Sequence, residues 1–154
     1  MKFSVLIFLT FISVIISGAS SCNKDSDTID TENSTVMTNN KIKITVNSKI
    51  FKASLLENNS ARAFKEMLPL TINMIELNGN EKYYDLPNSI PTNASNPGTI
   101  NNGDLMLYGS KTLVLFYKSI STSYSYTKLG KVDDAAGLTS ALGSGNATVT
   151  FELE

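Results

Sequence analysis

The stretch KIKITVNSKIFKASL, residues 41–55, decides the fold. Ile42, Ile44 and Val46 alternate with Lys41, Lys43 and Thr45, and this period of two is that of a strand with one buried face. Asn47-Ser48 turns the chain. Phe51, Ala53 and Leu55 then alternate again, so the two runs predict neighbouring strands with a shared inner face. Residues 147–153, ATVTFEL, repeat the pattern, with Val149, Phe151 and Leu153 inward and Thr148, Thr150 and Glu152 outward.

Between these ends the elements follow from local chemistry. Asn58-Asn59-Ser60 supplies helix caps, and Ala61, Phe64 and Leu68 recur at intervals of three and four, with Met67 widening the stripe. Pro69 is expected to end the helix, since it has no N–H to donate and its ring clashes with the preceding turn. Arg62 and Glu66, four apart, predict a solvent-facing pair. Leu70–Leu77 reads as a strand, and Asn78-Gly79 is a hairpin-turn signal before a strand over 81–86. Residues 87–102 hold three prolines and five asparagines and predict a long ordered loop. Strands are expected over 105–108, 112–117 and 126–132, with a polar loop over 119–125. Asp133-Asp134 predicts the N-cap of a short helix over 135–142 that Gly143 terminates. Eight strands and two helices over residues 41–154 predict a mainly β domain, a closed eight-stranded barrel, because closure removes edges that Asn-rich loops could not cover.

Ahead of this domain, residues 1–21 have the make-up of a signal peptide: Lys2, a nearly unbroken apolar run over Phe3–Ile16, and the small residues Ser17-Gly18-Ala19-Ser20-Ser21. The run is short for the roughly 20 residues of a membrane span. Cys22 follows at once, and Ala19-Ser20-Ser21-Cys22 resembles the lipobox of bacterial lipoproteins, which implies cleavage before Cys22 and a diacylglycerol on its thiol. Ordinary secretion and an uncleaved anchor use similar apolar runs. Residues 22–40 carry Asp25, Asp27, Asp30 and Glu32 against Lys24 and have no periodic apolar face, the composition of a disordered acidic tether. Its start, Cys22-Asn23-Lys24-Asp25-Ser26-Asp27, resembles the acidic signal that sends Bacteroidetes-type lipoproteins to the outer membrane.

Composition narrows the chemistry. The chain has no histidine, no tryptophan and one cysteine, which excludes histidine general-base catalysis, His-containing metal sites and an internal disulfide. Thirteen bases against fourteen acids give a formal charge of −1, and residues 41–154 keep eleven bases and ten acids. Such a domain has no field to recruit nucleic acid. No cofactor and no metal are implied.

The blocks Ala61-Arg62-Ala63-Phe64, Leu68-Pro69-Leu70-Thr71, Leu86-Pro87, Gly103-Asp104-Leu105-Met106-Leu107-Tyr108-Gly109, Leu115-Phe116-Tyr117 and Leu129-Gly130-Lys131-Val132 resemble the bacterial cyclophilin-like domain family over essentially all of residues 41–154. The resemblance implies a cyclophilin-like barrel. It does not carry an activity over. Cyclophilins catalyse rotation about X-Pro bonds, a barrier of about 20 kcal/mol, with an arginine in a Phe-His-Arg block on the strand after the first helix. Here that strand reads Thr71-Ile72-Asn73-Met74-Ile75-Glu76-Leu77, so no catalytic residue is assigned.

Tyr117, Tyr124 and Tyr126, with Phe116 and a Ser/Thr run between them, are the candidate ligand-binding residues, together with Arg62. Aromatic rings with hydroxyls suit an extended peptide or a glycan, although the same tyrosines can pack the barrel's own loops. The expected function is a lipid-anchored, non-enzymatic binding or scaffold domain of the cell envelope, joined to the membrane through Cys22. The alternative is a divergent peptidyl-prolyl isomerase that uses Arg62 or tyrosine hydroxyls.

Overall fold

The structure is a computed structural model that describes residues 39–154. The expected signal peptide of residues 1–21, Cys22 and all but the last two residues of the expected tether lie outside the described residues.

The two opening runs form strands β1 (Lys41–Val46) and β2 (Lys49–Leu55), paired antiparallel with Ile44 opposite Phe51. Helix α1 (Asn59–Lys65) follows, with Asn58 at its N-cap accepting from the Ala61 amide at 2.8 Å. The helix ends before Glu66, a turn earlier than the apolar stripe predicts; the Met67 amide bonds back to the Phe64 carbonyl at 3.0 Å, and the Leu68–Pro69 peptide is cis. Strands β3 (Leu70–Leu77) and β4 (Glu81–Asp85) form the expected hairpin, where Asn78 and Gly79 both take positive φ, 56° and 70°. The pairing of left-handed residues matches the twist of the flanking strands.

The loops on either side of the next hairpin are not wholly irregular. Thr99–Ile100 (β5) pairs with Ile120–Ser121 (β8), so the expected loops 87–102 and 119–125 each contain a short strand. Between them run β6 (Asp104–Tyr108) and β7 (Thr112–Phe116), and β9 (Thr127–Val132) follows. Helix α2 (Leu138–Leu142) starts later than expected, with Gly137 as its cap residue. Asp134 instead accepts from the Ala136 amide at 2.9 Å in the turn before it, and Asp133 bonds Lys41 and Ser54. Strand β10 (Ala147–Leu153) follows the alternation through Val149 and Phe151, but Leu153, expected inward, is exposed at the strand's end.

Eight strands close into an antiparallel barrel in the order β1-β10-β3-β4-β7-β6-β9-β2. Inward residues such as Ile42, Ile44, Phe151, Leu105, Leu107 and Leu115 are fully buried. Phe64 of α1 joins them with its ring edge-on to Phe151 at 5.6 Å. Lys65 of α1 reaches Asn40 at the start of β1, whereas Asn47 at its end donates to the Ala141 carbonyl of α2 at 3.1 Å. The two helices therefore close opposite ends of the barrel. Where β2 crosses β9, a Cβ on Gly130 would lie 2.4 Å from the Ser54 carbonyl oxygen, so only glycine allows that approach.

Candidate functional site

Alternation along β4 sends Lys82 and Tyr84 toward the barrel interior and Glu81, Tyr83 and Asp85 to its outer face. Their register partners on β7 are Phe116, Val114 and Thr112, and Met106 and Tyr108 extend the same face onto β6. This outer face is partly roofed by the β5–β8 pair and by the segment around Tyr126, which bridges to Ser95. Under the roof, Ile100, Met106, Val114, Phe116 and Tyr126 make a second apolar cluster outside the barrel. The roof stops short of the β3–β4 edge and leaves a groove of about 400 Å³, lined by Glu81, Tyr83, Asp85, Tyr108, Tyr124 and Tyr126, with Leu77 and Val114 as apolar contacts.

The rings are contiguous. Phe116 meets Tyr126 edge-on at 5.6 Å, Tyr126 lies 5.5 Å from Tyr108, and Tyr108 meets Tyr124 edge-on at 6.1 Å. Tyr108 and Tyr124 are nevertheless 47% and 62% exposed. Rings held against one another but open on one side offer a large contact area with little conformational freedom to lose on binding.

Among the described residues, two acids and no base line the groove. Asp85 accepts from the Thr112 hydroxyl at 2.6 Å and is exposed. Glu81 differs: it is 8% exposed, and among the described residues its side chain makes no hydrogen bond and no ion pair. Burial, followed by the like charge of Glu76, pushes its carboxyl above the usual carboxylate range. The Tyr126 hydroxyl is also pushed up, first by burial and then by the Glu81 charge.

On the interior side, Lys82 is fully buried yet fully partnered. Its Nζ donates to Glu76, to the Gly143 carbonyl at 2.9 Å and to the Gly145 carbonyl at 2.6 Å, which uses all three ammonium protons. Tyr117 donates to both Glu76 carboxylate oxygens at 2.9 Å, and its ring centroid lies 5.0 Å from the Lys82 ammonium. Burial, then the Glu76 hydrogen bond and charge, raises the Tyr117 hydroxyl to about 12. This network fastens β3, β4 and β7 to the end of α2.

The residues singled out from the sequence thus part company. Tyr124 and Tyr126 line the groove and Phe116 supports them from beneath. Tyr117 does not join them, because the next position along β7 faces the other way, into the Lys82–Glu76 network. Arg62 is exposed on α1, donates to Asn59 Oδ1 at 3.2 Å rather than pairing with Glu66, and borders a separate small depression with Leu56 and Lys65. Cys22 lies outside the described residues. Glu81, Tyr83, Asp85 and Tyr108 were missed. The period of two in Glu81-Lys82-Tyr83-Tyr84-Asp85 places Glu81, Tyr83 and Asp85 on one face, but with lysine and tyrosine on the other it does not tell which face is inside. Among the described residues, no group of three acids or cysteines is placed to hold a metal ion.

Residues 44–152 match the cyclophilin-like family. The chain belongs to the cyclophilin-like family. No curated protein matches it significantly. The hypothetical protein AF2241 from Archaeoglobus fulgidus, known from a solution structure, shares the fold with a TM-score of 0.51 at 17% identity, over 74% of this chain and 94% of that one. Within this cyclophilin-like barrel, β3 carries Glu76 and no arginine or histidine, and the groove on the outer face is acidic and aromatic.

Proposed function

We propose that this cyclophilin-like protein is a lipid-anchored binding domain of the bacterial cell envelope, whose aromatic groove takes an extended peptide segment of another envelope protein and releases it chemically unchanged. The observation that carries the reading is the groove itself: Tyr83 and Tyr108 on the barrel's outer face and Tyr124 and Tyr126 on the segment that roofs it, with Tyr108 and Tyr124 largely exposed. The anchor rests on Ala19-Ser20-Ser21-Cys22, with the acidic residues after Cys22 supporting the outer membrane as destination.

The binding test is a nuclear magnetic resonance titration with proline-containing hexapeptides. Amide signals of Tyr108, Tyr124 and Tyr126 should move together on adding peptide, and Tyr108→Ala should weaken binding by about fivefold or more, the loss of roughly 1 kcal/mol from a central ring. Shifts confined to the depression beside Arg62 would place the ligand elsewhere. For the anchor, the mass of membrane-extracted protein should show an acylated Cys22, and Cys22→Ala should abolish membrane retention.

Family membership favours a second reading, a divergent peptidyl-prolyl isomerase that works on proline segments in the same groove. The two readings share a ligand and differ only in turnover.

A further inference from the structure

We infer that the groove selects a positively charged side chain, so that the bound peptide presents a lysine or arginine to Glu81. This rests on the groove being the ligand site.

The first support is Glu81 itself. An ionised carboxylate with so little exposure normally has an ion-pair partner or several donors, because the loss of hydration is otherwise uncompensated. Every other acid that faces this region has a partner: Glu76 has Lys82, Tyr117 and the Gly79 amide, and Asp85 has Thr112. Among the described residues Glu81 has none, and its oxygens keep some access to the solvent of the cleft they border.

The second support is what surrounds it. Among the described residues no lysine or arginine lines the groove, so none of their cations is placed to fill the gap. Tyr83, Tyr108 and Tyr126 border the same space, and ring faces attract a cation. An alkylammonium or guanidinium threaded past the tyrosines would combine charge-assisted hydrogen bonds to Glu81 with ring contacts along its aliphatic stem. A neutral sugar would use the rings and leave the carboxylate without a counter-charge. A phosphorylated or acidic segment would be repelled, and the chain's own acidic stretch after Cys22 fits poorly for the same reason.

The like charge of Glu76 disfavours an unpaired Glu81 carboxylate, and a bound cation would offset it. Glu76 acts on it from β3, and the Tyr117 and Tyr126 hydroxyls feel its charge from the residue after β7 and from the segment before β9. None supplies positive charge, and the nearest ammonium, Lys82, is committed to Glu76 and two carbonyls.

The test compares two fluorescein-labelled hexapeptides that differ only in one lysine or its Nε-acetyl form, titrated by polarisation against the full chain in detergent micelles. The lysyl peptide should bind about tenfold more tightly or better, as expected for a hydrogen bond to a charged partner. Glu81→Gln, checked for an intact melting transition, should reduce that ratio to about one by weakening the lysyl peptide alone. Equal binding of both peptides to the unaltered protein overturns the charge selection and leaves the peptide groove standing. Discrimination that persists in Glu81→Gln also overturns the assignment to Glu81. Failure of either peptide to bind, or displacement of both by a neutral oligosaccharide, overturns the groove reading as well.

Discussion

Glu76 and Glu81 sit five positions apart on paired strands and have opposite fates. Burial pushes Glu76 up, but hydrogen bonds from Lys82, Tyr117 and the Gly79 amide outweigh it and hold the carboxyl below its ordinary range. Its ionised form therefore stabilises the fold at neutral pH, and that contribution is lost as pH falls through the lowered value. For Glu81 the sign reverses. Its folded carboxyl binds a proton more tightly than the unfolded one does, so stability falls as pH rises from the ordinary carboxylate range through the raised value. Glu81→Gln should therefore raise the melting temperature at pH 7, with the gain shrinking toward pH 4; a variant that melts lower at pH 7 would show that an unseen partner satisfies the carboxylate. Lys82→Met should cost about 3 kcal/mol in urea unfolding, because it leaves Glu76 without a counter-charge, only Tyr117 and the Gly79 amide remaining to it, and strips two carbonyls of their donor. The lysine's role was illegible beforehand: a charge in a strand reads as outward-facing, and only the three acceptors closing on Nζ explain why Lys82 points in.

At the scale of elements, legibility tracks how local the cause is. Strands β1 and β10 were plain because each alternates strictly and each buries one face against a single core. Strands β5 and β8 were hidden because two-residue strands inside Pro- and Ser-rich loops carry no period; they exist because the outer face of β6 and β7, with Met106, Val114 and Phe116, needs a cover. Leu113–Phe116, by contrast, is apolar on both faces, the pattern of a strand covered twice, and its side chains divide between the two clusters. Helix α1 shows the converse error, since Leu68 and Met67 pack on the core from the turn after the helix and so extend an apolar stripe beyond the helical backbone. The start of the domain can be tested at this scale. The Asn40 carbonyl accepts from the Leu55 amide at 2.8 Å, and Asn39 donates to the Glu154 carbonyl at 3.0 Å. A fragment of residues 39–154 should melt with one of residues 23–154, whereas residues 41–154 should melt about 4 °C lower, the equivalent of roughly one lost hydrogen bond. Equal melting of all three would mean that these two asparagines contribute nothing.

At the scale of the molecule, a barrel with two closed ends and one partly roofed outer face leaves an aromatic cleft on that face, and its charge decides what it can do. Rotation about an X-Pro bond proceeds through a twisted amide in which the nitrogen regains its lone pair, and preorganised hydrogen-bond donors aimed at that changed charge distribution speed it. A groove lined by two acids and no base offers the wrong sign. Arg62, the chain's one guanidinium, borders a different depression and is directed at Asn59. Tyrosine hydroxyls remain as donors, yet Tyr126 lies under the negative influence of Glu81, which disfavours giving up its proton. The expected outcome of a protease-free cis/trans assay on proline tetrapeptides is therefore no acceleration by residues 39–154, whichever residue precedes the proline. The same peptides should still perturb the groove tyrosines in the titration, which separates binding without turnover from failure to bind. A clear acceleration that Tyr126→Phe removes and Arg62→Ala leaves intact would establish the isomerase reading, with a tyrosine hydroxyl replacing the guanidinium as donor.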